Sequence, residues 1–289
     1  MKGIILSGGI GSRLAPMTHV ISKQLLPVYD KPMIYYPLST LILSGITDIL
    51  IISAPDQIEL YRKLLGDGSQ IGISISHQPQ NHPGGLAEAF IIGDRFIDNS
   101  PSCLILGDNL FYGADLGSIF SRMIKENLGA TILGYYTQHP ENYGVIEFDH
   151  KGNVISLEEK PESPKSKYAA VGIYFYDTTV TDRVKELKPS SRGELEITCL
   201  NNLYLKDQSL KAGCLGRGYA WMDMGTIDTY LLAAQFIASV ESRQGLKIGC
   251  IEEAAYRMGL IDGEQILKIA NQYPIANLYG SYLKSILDI

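Results

Sequence analysis

Several things are scarce in this 289-residue sequence, and each scarcity removes a class of protein. The four cysteines, Cys103, Cys199, Cys214 and Cys250, are scattered and form no metal-type pair. Such thiols are expected to be reduced and partly buried, as in a cytoplasmic protein. No basic run exceeds two residues and the formal net charge is −6, which argues against nucleic acid as the main partner. No apolar stretch approaches the ~18 residues of a membrane helix. Met1-Lys2-Gly3 enters a strand pattern at once, and the apolar run that follows is too short for a signal peptide. The five histidines are dispersed, and no Ser/His/Asp or Cys/His nucleophile arrangement is visible. With 45% hydrophobic and 19% charged residues, the composition is that of a soluble globular chain. The length suits one large domain, or one with an elaborated edge.

The first 27 residues carry the strongest signal. Apolar Ile4-Ile5-Leu6 runs straight into Ser7-Gly8-Gly9-Ile10-Gly11-Ser12-Arg13-Leu14, and Lys23 follows. A short buried strand thus ends in a glycine loop bearing two cations. Glycines permit positive φ and close approach of the backbone. Successive N–H groups then form a concavity for anions, and Arg13 and Lys23 neutralise what sits there. A polyphosphate is the expected guest; the bland alternative is a turn with solvated charges. Two familiar loops are absent. The Gly-Lys-Ser/Thr of a P-loop is missing, and a dinucleotide fingerprint fails where Leu14 replaces its third glycine.

Along the chain, strand-like runs alternate with helical ones. Residues 4–6, 38–43 and 49–52 come first, then a helix over 58–65 closed by Gly66 and a strand over 71–75. A helix over 85–97 and a buried strand over 103–106 follow. This alternation predicts right-handed βαβ units and a mainly parallel sheet flanked by helices, an α/β fold. Ligands of such sheets lie beyond the carboxyl ends of the strands, where both the glycine loop and Gly107-Asp108-Asn109 fall. From about Thr131 the pattern changes. Runs 145–148 and 154–157 flank a hairpin-like turn, and 170–176 is a further strand. Helical periods follow after Gly193, and over 227–240, 252–258 and 263–270. Residues 161–167 read as a surface loop. The chain is expected to be one domain: 1–130 mainly nucleotide-binding, 131–227 mainly sugar-phosphate-binding, and 228–289 a helical C-terminal segment.

Asp108 and Asp223 each stand where an apolar strand breaks beside a glycine. Two carboxylates with substrate phosphates and water suit Mg²⁺; alternatively each caps the next element. Glu159 and Lys160 close another strand and suit a sugar phosphate, or form a solvated cluster. Arg192 precedes a helix, where it reaches an anion or faces water. Gln80, Gly85 and Leu86 lie in a loop entering a helix, with the Gln80 amide able to read a base edge.

Longer runs now narrow the reading. Gly8-Gly9-x-Gly11-Ser12-Arg13-Leu14 with Ser22-Lys23-Gln24-Leu25-Leu26-Pro27-Val28-Tyr29-Asp30-Lys31-Pro32 resembles the signature of the sugar nucleotidyltransferases, in their thymidylyltransferase branch. Leu106-Gly107-Asp108-Asn109, Glu158-Glu159-Lys160-Pro161, Arg192-Gly193-Glu194-Leu195-Glu196 and Gly216-Arg217-Gly218-Tyr219-Ala220-Trp221 extend the resemblance over almost the whole chain. It implies a Rossmann-like nucleotidyltransferase fold with a sugar-binding β extension, assembled as a cytoplasmic homotetramer. It implies transfer of a thymidylyl group from dTTP to α-D-glucose 1-phosphate with Mg²⁺, at the head of dTDP-L-rhamnose and related deoxysugar synthesis. By motif, Gly8, Gly9, Gly11, Ser12 and Arg13 would hold the triphosphate, and Lys23 would bear on the reacting phosphates. Gln24, Gln80, Gly85 and Leu86 would surround the nucleoside. Asp108 and Asp223 would bind the metal. Gly144, Glu159, Lys160, Tyr174 and Arg192 would line the sugar-phosphate pocket. A second site for dTDP-sugars would involve Arg217, Glu253, Tyr256 and Arg257.

Some positions depart from the usual pattern. Ile10 replaces a small serine, Gly84 a frequent aspartate, Glu88 a glutamine, and Val171 a threonine or proline. Met224 and Ile227 replace threonine and histidine. The charges named above are all kept. Two rival readings stand beside the enzyme: a dTDP-sugar-binding regulator without catalysis, and a nicotinamide oxidoreductase, which the missing glycine disfavours.

Overall fold

The structure, a computed structural model, describes residues 1–288. Its strands in chain order are β1 (Lys2–Ser7), the short pair β2 (Pro27–Val28) and β3 (Lys31–Pro32), β4 (Asp48–Ser53), β5 (Ser74–Pro79), β6 (Ser102–Leu106) and β7 (Asn109–Tyr112). Then come β8 (Ala130–Tyr136), β9 (Gly144–Phe148), β10 (Val154–Glu159), β11 (Tyr168–Tyr176), β12 (Leu210–Leu215) and β13 (Ala220–Asp223). The central sheet runs β10-β9-β11-β6-β1-β4-β5, with β8 and β12 branching from β11. The half β6-β1-β4-β5 is parallel throughout. β11 joins it antiparallel through Ile173–Tyr176 and carries the antiparallel extension. The expected hairpin over 145–157 is present as β9 and β10, paired antiparallel.

Why β1 is apolar throughout follows from its position. Side chains alternate across a strand. Ile5 packs into the layer of the first helix and the C-terminal helices, while Ile4 and Leu6 pack on the opposite face. A parallel strand covered on both faces has no water-facing side. The helices are α1 (Tyr35–Leu43), α2 (Ile58–Leu65), α3 (Glu88–Ile92), α4 (Asp94–Ile97), α5 (Leu116–Glu126), α6 (Val180–Lys185) and α7 (Ile197–Lys206). The C-terminal set is α8 (Ile227–Gln244), α9 (Ile251–Arg257), α10 (Gly263–Ala270) and α11 (Leu278–Ser285). A third apolar cluster, with Met33, Leu110, Met224 and Ile237, joins α8 to β7 and the β2–β3 pair.

The run 38–43, between the strands at 4–6 and 49–52, lies within α1. Two expectations need correction. The helix expected over 85–97 is two short ones divided at Gly93, where a Cβ would come 2.9 Å from the Ala89 carbonyl and 3.2 Å from Ile4. Its first residue is not helical either, because Gly85 has φ +99°. The strand expected over 71–75 starts later, since 69–71 is a 3₁₀ turn ending at left-handed Gly72. Among the described residues all four cysteines are free, Cys103 and Cys250 buried and Cys199 and Cys214 exposed. Among the described residues no helix is long and apolar enough to cross a membrane.

Candidate active site

A cleft of about 690 Å³ opens beyond the carboxyl ends of β1 and β6. That is within the range of small-ligand sites. One wall holds Gly9, Arg13, Lys23, Gln24, Gln80, Gly85 and Leu86; the other holds Gly144, Glu159, Lys160, Tyr174 and Arg192. Asp108 and Asp223 also line it. The two halves separated in the sequence reading thus face each other across one space.

The glycine loop is shaped by necessity at two positions. Gly11 has φ +68° at the start of the short turn 12–14 that carries Ser12 and Arg13. At Gly8 a side chain would displace the Gln80 amide, because a Cβ there would stand 1.9 Å from Gln80 Oε1. Gly8, Gly11 and Ser12 therefore shape the loop without lining the cleft. Gln24 is buried and accepts a hydrogen bond from Ser22 Oγ at 2.7 Å, and that hydroxyl also meets Tyr61 at 2.8 Å.

Asp108 follows β6 and is buried beside Lys23, with which it forms an ion pair. Burial pushes its carboxyl up, but Lys23 and the Asn109 amide outweigh this and hold it below the ordinary value. Asn109 Nδ2 donates to Asp108 at 3.0 Å. Its orientation is fixed from behind, because Asn109 Oδ1 accepts from Trp221 Nε1 at 2.6 Å and from the Gly172 amide at 3.2 Å. Asp223 ends β13 and lies opposite Asn109 in the β7–β13 ladder. Burial and the neighbouring Asp108 carboxylate push Asp223 up to about 6, against the pull of Lys23 and Arg13. Arg13 and Asp223 converge on Gly225, where a Cβ would lie 2.8 Å from the carboxylate and 3.0 Å from the guanidinium.

Two neighbouring carboxylates, one of which raises the proton affinity of the other, are a fitting seat for a divalent cation. Among the described residues no cluster of three or more His, Cys, Asp or Glu forms. A cation here would have to take its remaining ligands from water and from substrate oxygens.

On the opposite wall, Lys160 follows β10 with φ +44°, a conformation rare for a residue with a side chain. Its amide donates to the Tyr143 carbonyl at 2.9 Å. Such geometry, held by its surroundings, is common at binding sites. Glu159 accepts from Thr198 Oγ1 at 2.5 Å and faces Arg192 at 3.6 Å. Arg192 is held more tightly by Glu196 at 2.8 Å, and this hydrogen bond raises its pKa. Tyr174 lies buried at the base, where burial pushes its hydroxyl pKa up.

The structure adds residues that the sequence reading missed: Asn109, Tyr143, Glu196, Trp221, Thr226 and Thr229 all line the cleft. Thr226 and Thr229 form the capping box that opens α8; their Thr-x-x-Thr spacing was a legible signal. Asn109 was legible only as the neighbour of Asp108. Nothing in the sequence links Trp221 to Asn109, since that contact joins positions 112 apart.

The four residues assigned to a second site are not gathered into the cleft. Glu253 lines a separate cavity of about 270 Å³, together with Tyr36, Leu43, Phe111, Gly113, Gln244 and Lys247. Arg257 donates to Glu253 at 3.0 Å from the next turn of α9. Tyr256 packs against the core, and Arg217 stands exposed on the turn between β12 and β13. The Tyr219 ring beyond that turn packs against Gly113 on the cavity wall.

The sequence pattern of the nucleotidyl transferase family matches residues 2–240. The chain belongs to the nucleotidyl transferase family. Relatives extend the likeness to the C-terminal helices that this match leaves out. A glucose-1-phosphate thymidylyltransferase of Neisseria meningitidis serogroup A is 51% identical over 287 residues, 99% of each chain. One from Mycolicibacterium smegmatis is 51% identical over 288 residues, covering 100% of this chain and 99% of the relative. Among solved structures, a glucose-1-phosphate thymidylyltransferase of Bacillus anthracis in complex with a sucrose superposes with a TM-score of 0.75. It is 41% identical, with 82% of this chain and 94% of that one covered. A UDP-glucose pyrophosphorylase complexed with UDP-glucose gives 0.72 at 24% identity, covering 83% and 98%, and shows the fold alone. The chain is thus a nucleotidyltransferase by family and by fold.

Proposed function

We infer that this protein transfers the thymidylyl group of dTTP to α-D-glucose 1-phosphate, giving dTDP-glucose and pyrophosphate. The observation that carries the reading is the cleft itself. It sets a cation-bearing glycine loop against a second wall with its own lysine, and two carboxylates lie in the same space. Full-length relatives bearing that enzyme's name support the choice of substrates.

The chemistry asks little of a protein base. The sugar phosphate is already an anion, and its oxygen attacks the α-phosphorus in line while pyrophosphate leaves. What the protein must supply is approach of two anions and neutralisation of charge. Arg13 and the loop amides hold the triphosphate, and Lys23 bears on the reacting phosphates. Lys160 holds the sugar phosphate, with Glu159 and Arg192 shaping that pocket. Asp108 and Asp223 are the residues that would hold Mg²⁺, which when bound supplies further charge neutralisation at phosphate oxygens. Lys23 is anchored on Asp108 in the free protein, so the cation that meets the phosphates is already oriented.

The same reading includes a second nucleotide site, a homotetramer and a cytoplasmic setting. The cavity bounded by Glu253 and Lys247 is the place we assign to dTDP-sugars acting by feedback. Arg257 is one turn away on α9, and Arg217 would have to reach it from the β12–β13 turn.

The test is pyrophosphate release over a matrix of nucleoside triphosphates and hexose 1-phosphates with Mg²⁺. The dTTP and glucose 1-phosphate pair is expected to give the highest kcat/KM. No pyrophosphate from any pair would overturn the reading.

A further inference from the structure

Gln80 is a buried polar group on the nucleotide wall, 5% exposed, placed directly after β5. Its backbone amide is tied to the Ser53 carbonyl at 2.8 Å. Its side-chain Nε2 donates at 2.7 Å to Oε2 of Glu88, in the first turn of α3. Its Oε1 is turned the other way, onto Gly8 at the start of the glycine loop. Glu88 itself does not line the cleft.

A primary amide can present either its oxygen or its nitrogen, and only its surroundings decide which. An ionised carboxylate accepts and never donates. With Glu88 as its partner, Gln80 must give up its N–H to that side and offer the oxygen on the other. The support is firm. Leu195 donates to the Gly84 carbonyl at 2.7 Å, and the Ala87 amide donates to the Leu195 carbonyl at 3.1 Å, so the loop before α3 is clamped at both ends. The Glu88 carboxylate folds over Gly84, where a Cβ would stand 2.5 Å from it. On its far side the exposed His82 lies 3.8 Å from Oε1.

We propose that Glu88 is a positioning residue for base selection: it locks the Gln80 amide so that the nucleotide wall offers an acceptor, and so selects a base with a ring N–H donor. Thymine and uracil carry that donor at N3, whereas cytosine carries an acceptor there. A buried acceptor facing another acceptor is left unpaired, and a site of this kind discriminates strongly. The inference rests on the nucleotidyl-transfer reading above for the placement of the base beside Gln80.

The test compares dTTP and dCTP by calorimetric binding and by kcat/KM, in wild type, Glu88→Leu and the double variant Gly84→Asp with Glu88→Leu. Leucine keeps the bulk and removes the acceptor, so Gln80 is free to rotate. The preference for dTTP over dCTP is expected to fall at least tenfold in Glu88→Leu, through binding and KM, with kcat for dTTP within a few-fold of wild type. Gly84 does not require positive φ, and an aspartate there would place a carboxylate where that of Glu88 now sits. The double variant is therefore expected to recover most of the preference. Equal weakening of both nucleotides would mark Glu88 as merely structural and overturn the proposal. So would an unchanged preference, or a folded double variant with no recovery. If wild type binds dTTP over dCTP and yet releases no pyrophosphate, the transfer reading fails while the selection by Glu88 stands to be judged on binding alone.

Discussion

Replacing Asp223 by asparagine should make the metal-free protein more stable while it removes turnover. In the folded protein, burial and the nearby Asp108 carboxylate push Asp223 from the ordinary 3.8 up to about 6. The fold therefore holds this proton more tightly than the unfolded chain does. A group raised in this way costs stability as pH rises through the window from about 4 to about 6. A shift of about two units corresponds to about 3 kcal/mol at most. Asp223 is only partly buried, so about 1–3 kcal/mol is the expected gain once its charge is removed. That corresponds to a rise in Tm on the order of 2–6 °C for a chain of this size. Asparagine keeps an oxygen for the Gly225 amide, which now donates to the carboxylate. The assay is a thermal melt in EDTA at pH 7.5 and again near pH 4.5. The advantage of the variant should be clear at the higher pH and shrink at the lower. Millimolar Mg²⁺ should then raise the wild-type Tm more than that of the variant, closing the gap. Pyrophosphate release with Mg²⁺ should fall by at least 100-fold, because charge stabilisation is lost in the transition state. A variant less stable than wild type at pH 7.5 in EDTA would refute the like-charge account of these two carboxylates. Wild-type turnover in the variant would remove Asp223 from the metal site.

Arg13→Ala and Lys160→Ala should fail differently. The first should act mainly on steps involving dTTP, the second should raise KM for glucose 1-phosphate more than for dTTP, and equal effects on both substrates would contradict the two-walled cleft. Feedback by dTDP-L-rhamnose should be finite, since coupling between sites is typically ~1–3 kcal/mol. The double variant Arg217→Ala with Arg257→Ala should relieve it in initial-rate assays while leaving catalysis largely intact; inhibition that is purely competitive with dTTP and unchanged in the variant would argue against a second site. Lys31 is buried between Asp30 and Glu241, 2.9 Å from the latter. Lys31→Met should lower the urea midpoint by an amount corresponding to about 2–4 kcal/mol, because it leaves the buried Glu241 carboxylate short of a cation; Lys247, which reaches both Asp30 and Glu241, limits the loss.

The sequence by itself determined the parts of this protein whose physics is local. The helix over 58–65 ends at Gly66 because the chain there takes φ +62°. The hairpin over 145–157 and the helix after Thr226 were legible from turn residues and apolar period. So was the strand–glycine loop–arginine run, because positive φ, close approach and charge are properties of neighbouring residues. Where tertiary contacts set the backbone, the reading slipped. Gly93, between the two short helices, lies close to Ile4 of a distant strand, and left-handed Gly72, which precedes β5, packs against the Leu260 carbonyl. Only the folded chain could bring Lys23 to Asp108, set Asp223 beside both, and aim Asn109 through Trp221. Those pairings join positions far apart in sequence, and the β7–β13 ladder is what sets Asp223 opposite Asn109. The same holds for the polarity of Gln80: a glutamine in a loop could offer either end of its amide, and the carboxylate of Glu88 decides which.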